Sequence, residues 1–244
     1  MCQRKLYISI TFVNLIMIPL SLRIKKSAHR KIAQAQDIIV EEVYKIFSRA
    51  VFHGGTAIWR CYLGKRFSED LDFYLPDEPD KIRKLFENIE KRGLLAIKKK
   101  ISANSVYSEF EMDREAVRLE ATYQKTEGHI VDYETADGNI ISVYSLTPEE
   151  FVMEKVETYI KRRKIRDLYD IFFLIKLVKD GPSVKRGIGK LITSYQSPLD
   201  EEDLKAIILE GITPTSKEMI EYIQRKRESE RKPENKRKWE NTNT

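Results

Sequence analysis

Two carboxylates separated by one residue, Asp70 and Asp72, follow a glycine pair, Gly54 and Gly55, at a distance that one short helix and a loop can span. On an extended chain, residues two apart project to the same side, so Asp70 and Asp72 can share Mg²⁺ or Mn²⁺ with phosphate oxygens. Such an ion neutralises charge on a leaving pyrophosphate and activates an attacking hydroxyl. Glycines let the backbone come close to phosphates, and a helix beginning near Thr56 aims its free N–H groups at them, with the Thr56 hydroxyl as an added donor. Arg66, Ser68 and Glu69 stand just before the acids, where they can reach a nucleotide or hold the loop. Each motif alone is commonplace, an ordinary surface-strand pair and an ordinary tight turn. Their conjunction points to phosphate and metal chemistry.

The elements that must position these residues are legible in hydrophobic spacing. Ile32, Ala35, Ile39, Val43 and Ile46 recur at three- and four-residue intervals behind Ser27, an N-cap residue type, which predicts an amphipathic helix. Val51, Phe52 and His53 read as a short strand entering the glycines, and residues 56–63 as a helix ended by Gly64. Leu71, Phe73 and Leu75 alternate with Asp70, Asp72 and Tyr74, a strand that buries one side and offers carboxylates on the other. A helix around Ile82, Leu85, Phe86 and Ile89 follows, then strands over 94–101, 107–112, 116–123, 130–134 and 140–144, the last entered through an Asp137-Gly138-Asn139 turn. Thr147-Pro148-Glu149-Glu150 is a capping box with Pro at the first helical position. Helices are predicted over roughly 148–164, 166–179, 184–194, 201–210 and 217–231, with Gly181-Pro182 and Ser197-Pro198 as breaks. The class is α+β, with a catalytic domain over 27–146, a helical domain over 147–216 completing the cleft, and a basic helix and tail over 217–244.

Composition narrows the possibilities. With 41% hydrophobic and 10% aromatic residues the chain can build a core, which excludes disorder throughout. Lys and Arg number 44 against 38 Asp and Glu, and this net +6 favours an anionic partner such as RNA or nucleotide, although a plain basic protein carries the same charge. Cys2 and Cys61 are too few for a disulfide framework or a zinc site and fit a reducing cytoplasm. Residues 6–22 are mostly apolar and flanked by basic residues, yet Ser9, Thr11, Asn14 and Pro19 interrupt them; residues 1–26 are read as an N-terminal extension, with membrane association as the alternative. Residues 225–240 carry eight Lys or Arg against four Glu and read as a solvated tail.

Three blocks, His53-Gly54-Gly55-Thr56-Ala57-Ile58, Arg66-Phe67-Ser68-Glu69-Asp70-Leu71-Asp72 and Arg166-Asp167-Leu168-Tyr169-Asp170, resemble in order the AbiEii/AbiGii toxin family of nucleotidyltransferases, over about residues 29–175. The resemblance implies a polymerase-β-like nucleotidyltransferase fold, a mixed sheet flanked by helices, followed by a helical C-terminal domain. It implies transfer of NMP from an NTP and, as in several members, a toxin of a toxin–antitoxin pair that adds nucleotides to tRNA 3′ ends, with a cognate antitoxin as partner. His53 departs from the Lys of many relatives and makes a weaker phosphate contact. The pattern asks for a third carboxylate on a neighbouring strand, as base for the incoming hydroxyl and as metal ligand beside Asp70 and Asp72. Glu120 resembles it best; Asp132 and Glu134 compete.

Lys155, Tyr159, Arg162 and Arg166 recur at spacings of four, three and four, so on one continuous helix they form a stripe that Asp170 continues. By resemblance, Lys155 meets the triphosphate, Asp167 stands in the catalytic cleft and Asp170 fixes Arg166. Arg162, Arg163 and the basic tail are candidates for sequence-independent contact with RNA phosphates. A protein or small-molecule acceptor, or a non-catalytic scaffold that binds RNA or an antitoxin, are the alternative readings, and no recognised RNA-binding signature is present.

Overall fold

The computed structural model describes residues 18–178 and 181–229. Two helices, α1 (Leu20–Arg23) and α2 (Ser27–Ile46), lead into β1 (Val51–His53), which turns directly into α3 (Gly54–Cys61). There follow β2 (Leu71–Leu75), α4 (Asp80–Lys91), and the meander β3 (Leu95–Ile101), β4 (Ser105–Met112) and β5 (Glu115–Tyr123). A hairpin of β6 (His129–Glu134) and β7 (Ile140–Ser145) precedes the helices α5 (Pro148–Arg162), α6 (Ile165–Leu174), α7 (Pro182–Thr193), α8 (Leu204–Ile207) and α9 (Ser216–Ser229). The strands form one mixed sheet in the order β3-β4-β5-β2-β1-β7-β6. β2 runs parallel to β5 and β1 parallel to β7, while the other neighbours are antiparallel.

The expected faces are the buried ones. Leu71, Phe73 and Leu75 of β2 point into the core while Asp72 and Tyr74 stay half-buried. Ile32, Ala35, Ile39 and Val43 bury the inner face of α2, and Ile82, Leu85, Phe86 and Ile89 that of α4. One polar residue shares the α2 face: Gln36 is fully buried and its Nε2 donates to the Ser68 and Glu69 carbonyls at 2.9 and 3.0 Å. Desolvating an amide is tolerated only with such partners, so Gln36 both satisfies the core and fixes the loop that delivers Asp70.

Several boundaries differ from the residue pattern for identifiable reasons. The folded unit starts before Ser27, because Leu20 and Ile24 are buried, the Ser21 N–H donates to the Ala136 carbonyl at 2.8 Å, and Arg23 pairs with Glu134. The earlier part of the apolar run and the tail beyond residue 229 lie outside the described residues. Gly181 and Pro182 are the N-cap and first residue of α7, so this break is a start. The helix expected over 201–210 shrinks to a 3₁₀ turn and α8, since the backbone of 207–209 pairs with residues 65–67 instead: Phe67 N–H to Ile207 O, 2.7 Å, and Leu209 N–H to Lys65 O, 2.9 Å. The break expected between the helices over 148–164 and 166–179 falls at Arg163, which adopts left-handed backbone angles (φ 51°, ψ 41°) and donates its guanidinium to the Ser197 carbonyl, so the stripe from Lys155 to Asp170 that one continuous helix would carry is interrupted. No helix among the described residues is long and apolar enough to cross a membrane.

Candidate active site

Strand register sets the first layer of the site. β1 aligns His53 with Asp72, and β2 aligns Asp72 with Glu120 of β5, so three polar side chains stand in a row across neighbouring strands. Asp70 closes the loop immediately before β2, one residue ahead of the strand that was expected to carry it. Asp70, Asp72, Glu120 and Glu154 line a cavity of about 270 Å³. The cations Arg66, Arg118, Lys155, Arg162 and Arg166 line it too, as do His53, Gly54, Gly55, Ser68 and Thr158.

The glycine pair has a local reason. Gly54 sits at φ +76°, and a Cβ there would lie 2.0 Å from Asp72 Oδ2. A Cβ on Gly55 would lie 2.5 Å from Arg66 Nη2 and 2.7 Å from Ser68 Oγ. The close approach the pair permits is thus first of all that of the protein's own carboxylate, guanidinium and hydroxyl to the N-terminus of α3, which opens at Gly54, two residues earlier than expected. Thr56 does not take the expected place at a nucleotide. Its side chain is fully buried, outside the cavity lining, and its hydroxyl donates to the Asp70 carbonyl, which ties the main chain of the acid to α3.

Behind the cavity lies a buried ion network. Arg66 grips Asp170 with two hydrogen bonds of 2.6 Å, and Lys155 Nζ stands 3.0 Å from the same carboxylate and 3.5 Å from Asp167. Arg162 chelates Asp167 at 2.7 and 2.9 Å. Asp167 and Asp170 are 0% and 1% exposed and do not line the cavity. Their expected position in the cleft is therefore corrected: they hold Arg66, Lys155 and Arg162, whose side chains reach it. Asp170 fixes Arg66 and Lys155, not Arg166, because the break at Arg163 redirects α6 and leaves Arg166 exposed at the cavity. Tyr159 also leaves the predicted stripe, being buried with its hydroxyl donating to the Gln196 carbonyl. Burial alone would raise the Asp170 carboxyl, but Arg66 and Lys155 more than offset it and hold it below its ordinary range.

Three of the four lining acids, Asp70, Asp72 and Glu120, crowd one another. Burial pushes the Asp72 carboxyl up to about 6, opposed by His53 and Lys155 and assisted by Asp70 and Glu120. The Arg118 guanidinium stands 3.3 Å from the Asp70 carboxylate and 3.8 Å from Glu120. A cation thus already occupies the space between these acids, and the donor set of hard carboxylate oxygens suits Mg²⁺ or Mn²⁺. Among the described residues no three acids, histidines or cysteines are grouped closely enough to hold an ion alone. Mg²⁺ does not require such a group, since one or two carboxylates, waters and substrate phosphates complete its shell. Of the competing third acids, Glu134 is buried against Arg23, and both it and Asp132 lie on β6 at the far edge of the sheet, away from the cavity.

Reasoning from spacing passed over Arg118, Glu154 and Thr158. Arg118 was discoverable, because it stands two residues before Glu120 on the same strand face. Thr158 was discoverable too, lying three residues after Lys155 and four before Arg162 on one helix face; Glu154 carried no such signal, since it faces His53 Nδ1 at 3.4 Å across two elements distant in sequence. Burial would raise the Glu154 carboxyl, yet contact with His53 holds it below its ordinary value.

The nucleotidyl transferase AbiEii toxin family of type IV toxin–antitoxin systems matches residues 42–241. Curated protein sequences give no match. Among solved structures the chain is similar to MenT4, a nucleotidyltransferase toxin from Mycobacterium tuberculosis H37Rv, with TM-score 0.59, 17% identity, and 82% of each chain covered. It is similar also to JHP933 from Helicobacter pylori, with TM-score 0.59, 18% identity, and 84% of this chain and 94% of that one covered. A putative nucleotidyltransferase from H. pylori gives TM-score 0.57 and 18% identity over 84% of this chain and 97% of that one. At such identities the likeness speaks for the fold. The family match over most of its length, on a mixed sheet whose glycine turn and paired acids meet in one cleft, makes this chain a member of the AbiEii nucleotidyltransferase toxin family.

Proposed function

We propose that the protein transfers NMP from an NTP to the 3′-terminal hydroxyl of a tRNA, with a divalent cation held by Asp70, Asp72 and Glu120, as the toxin partner of a cognate antitoxin. The observation that carries this reading is the convergence of Asp70, Asp72 and Glu120 with Gly54, Gly55, Ser68 and five cationic side chains on a single cavity. Anionic triphosphate requires the cations, and a hard metal ion requires the carboxylates. When bound, Mg²⁺ or Mn²⁺ would neutralise charge on the triphosphate and polarise the attacked phosphorus.

The remaining work falls to the chain itself. Lys155, with Arg66 and Arg166, binds and orients the triphosphate, and the N-terminus of α3 beside Ser68 adds backbone and hydroxyl donors. Asp167 and Asp170 hold Lys155 and Arg66 at the cavity wall so that little reorganisation accompanies reaction. Glu120 accepts the proton of the acceptor hydroxyl as its oxygen bonds to the α-phosphorus. The bond from that phosphorus to the bridging oxygen breaks, and pyrophosphate leaves with the electron pair.

Incubating the protein with labelled NTPs, Mg²⁺ and total tRNA tests the reading. Label at RNA 3′ ends, lost in Asp70→Asn, is expected; label on protein or small molecules instead would move the acceptor. In cells, Asp70→Asn is expected to abolish growth inhibition while leaving antitoxin binding intact.

A further inference from the structure

The sheet face beside Glu120 continues past the cavity. β5 aligns Glu120 with Tyr107 of β4, and β4 aligns Tyr107 with Lys100 of β3, the edge strand. On these strands Val106, Phe110, Val117, Leu119 and Ala121 are buried, while the alternate residues Tyr107, Arg118 and Glu120 are half-buried or exposed. One face is therefore core and the other open. Neighbouring strands lie about 4.8 Å apart, so Tyr107 stands one strand, and Lys100 two strands, from the carboxylate assigned as base. Arg118 bridges the rows, its guanidinium lying 5.9 Å from the centre of the Tyr107 ring while contacting Asp70 and Glu120.

Resting on the RNA-acceptor reading above, we infer that this open face of β5, β4 and β3 is the acceptor platform: the terminal base stacks on Tyr107, and Arg118 and Lys100 take the backbone phosphates. A ring flanked by cations on an open sheet is the arrangement that holds single-stranded nucleic acid, because every base has a face to stack and every phosphate a charge to neutralise. The acids on this face do not cancel the match. Glu109 is paired with Lys98 at 2.7 Å, and Glu111 lies farther along, opposite Ala116. Stacking at Tyr107 places the last ribose next to Glu120, where its hydroxyl must be to lose a proton.

The test is steady-state transfer to a tRNA 3′ end, with NTP binding measured separately by calorimetry. Alanine substitution of a stacking ring weakens binding by about tenfold or more. Tyr107→Ala is expected to raise KM for RNA by at least that factor with kcat and NTP affinity nearly unchanged, and Tyr107→Phe to restore it. Lys100→Ala, at an exposed position, is expected to reduce the slope of log affinity for RNA against log salt by about 0.7. If the wild type labels RNA but both variants keep its KM and salt slope, the platform is wrong and the acceptor reading stands. If the wild type labels a protein or a small molecule and never RNA, both fall.

Discussion

Asp170→Asn isolates the buried ion network from the chemistry in front of it. The side chain keeps its size, but Arg66 and Lys155, both almost fully buried, lose the carboxylate that contacts them at 2.6 and 3.0 Å. Asp167 then remains the only carboxylate in this network, and it already serves Arg162. Removing one partner of a buried pair costs about 3–5 kcal/mol because the other charge is left uncompensated. In a domain of this size each kcal/mol lowers Tm by about 2–4 °C, so a fall of about 6–20 °C is expected. The pH dependence gives a second, independent sign. The native Asp170 carboxyl is held below its ordinary value, so its contribution is complete above the unfolded pKa of about 3.9 and is lost as pH falls through the lower native value. Urea denaturation of the two proteins at neutral pH and on stepwise acidification measures both effects. The gap in stability is expected to be largest near neutrality and to close below about pH 4. A gap under about 1 kcal/mol at neutral pH, the worth of an exposed pair, or one that widens in acid, would refute the argument.

Four further substitutions separate roles that spacing alone confuses. Gly54→Ala imposes a left-handed backbone penalty of about 1–2 kcal/mol and drives a methyl into Asp72 Oδ2; Mn²⁺ binding followed by electron paramagnetic resonance should fall far more than Tm does. Thr56→Val removes the hydrogen bond to the Asp70 carbonyl, and urea melts should show a loss of about 1–3 kcal/mol; lost NTP affinity at unchanged stability would instead return Thr56 to the nucleotide. Glu120→Gln should abolish NMP transfer while retaining the native melting profile, whereas Glu134→Gln should weaken the pairing with Arg23 and lower Tm with transfer preserved.

Elements with one dominant period were legible in the residues. The α2 and α4 faces, the alternation in β2, the β6–β7 hairpin and the capping box at Thr147 all stand where local chemistry places them, because each is decided within a few residues. The paired acids and the glycine turn were legible for the same reason. What escaped depends on contacts between segments far apart in sequence. The left-handed Arg163 is held by the Ser197 carbonyl, and that single turn decides which cations Asp167 and Asp170 meet. The shortened α8 reflects pairing of 207–209 with 65–67. Thr56 matched a phosphate-binding pattern yet is turned inward by the Asp70 carbonyl. The choice among Glu120, Asp132 and Glu134 is a matter of strand order, since the acids alternate with apolar residues on both β5 and β6 and, of these two strands, β5 neighbours β2 while β6 does not.

The most direct examination of the central claim is a crystal structure with Mn²⁺ and a non-hydrolysable NTP, with the ion located by its anomalous signal. The account predicts manganese within coordination distance of Asp70 and Asp72, the triphosphate reaching Lys155 beside the N-terminus of α3, and Arg118 withdrawn from between Asp70 and Glu120. Ion and triphosphate bound together elsewhere, with Arg118 still bridging those two carboxylates, would contradict it.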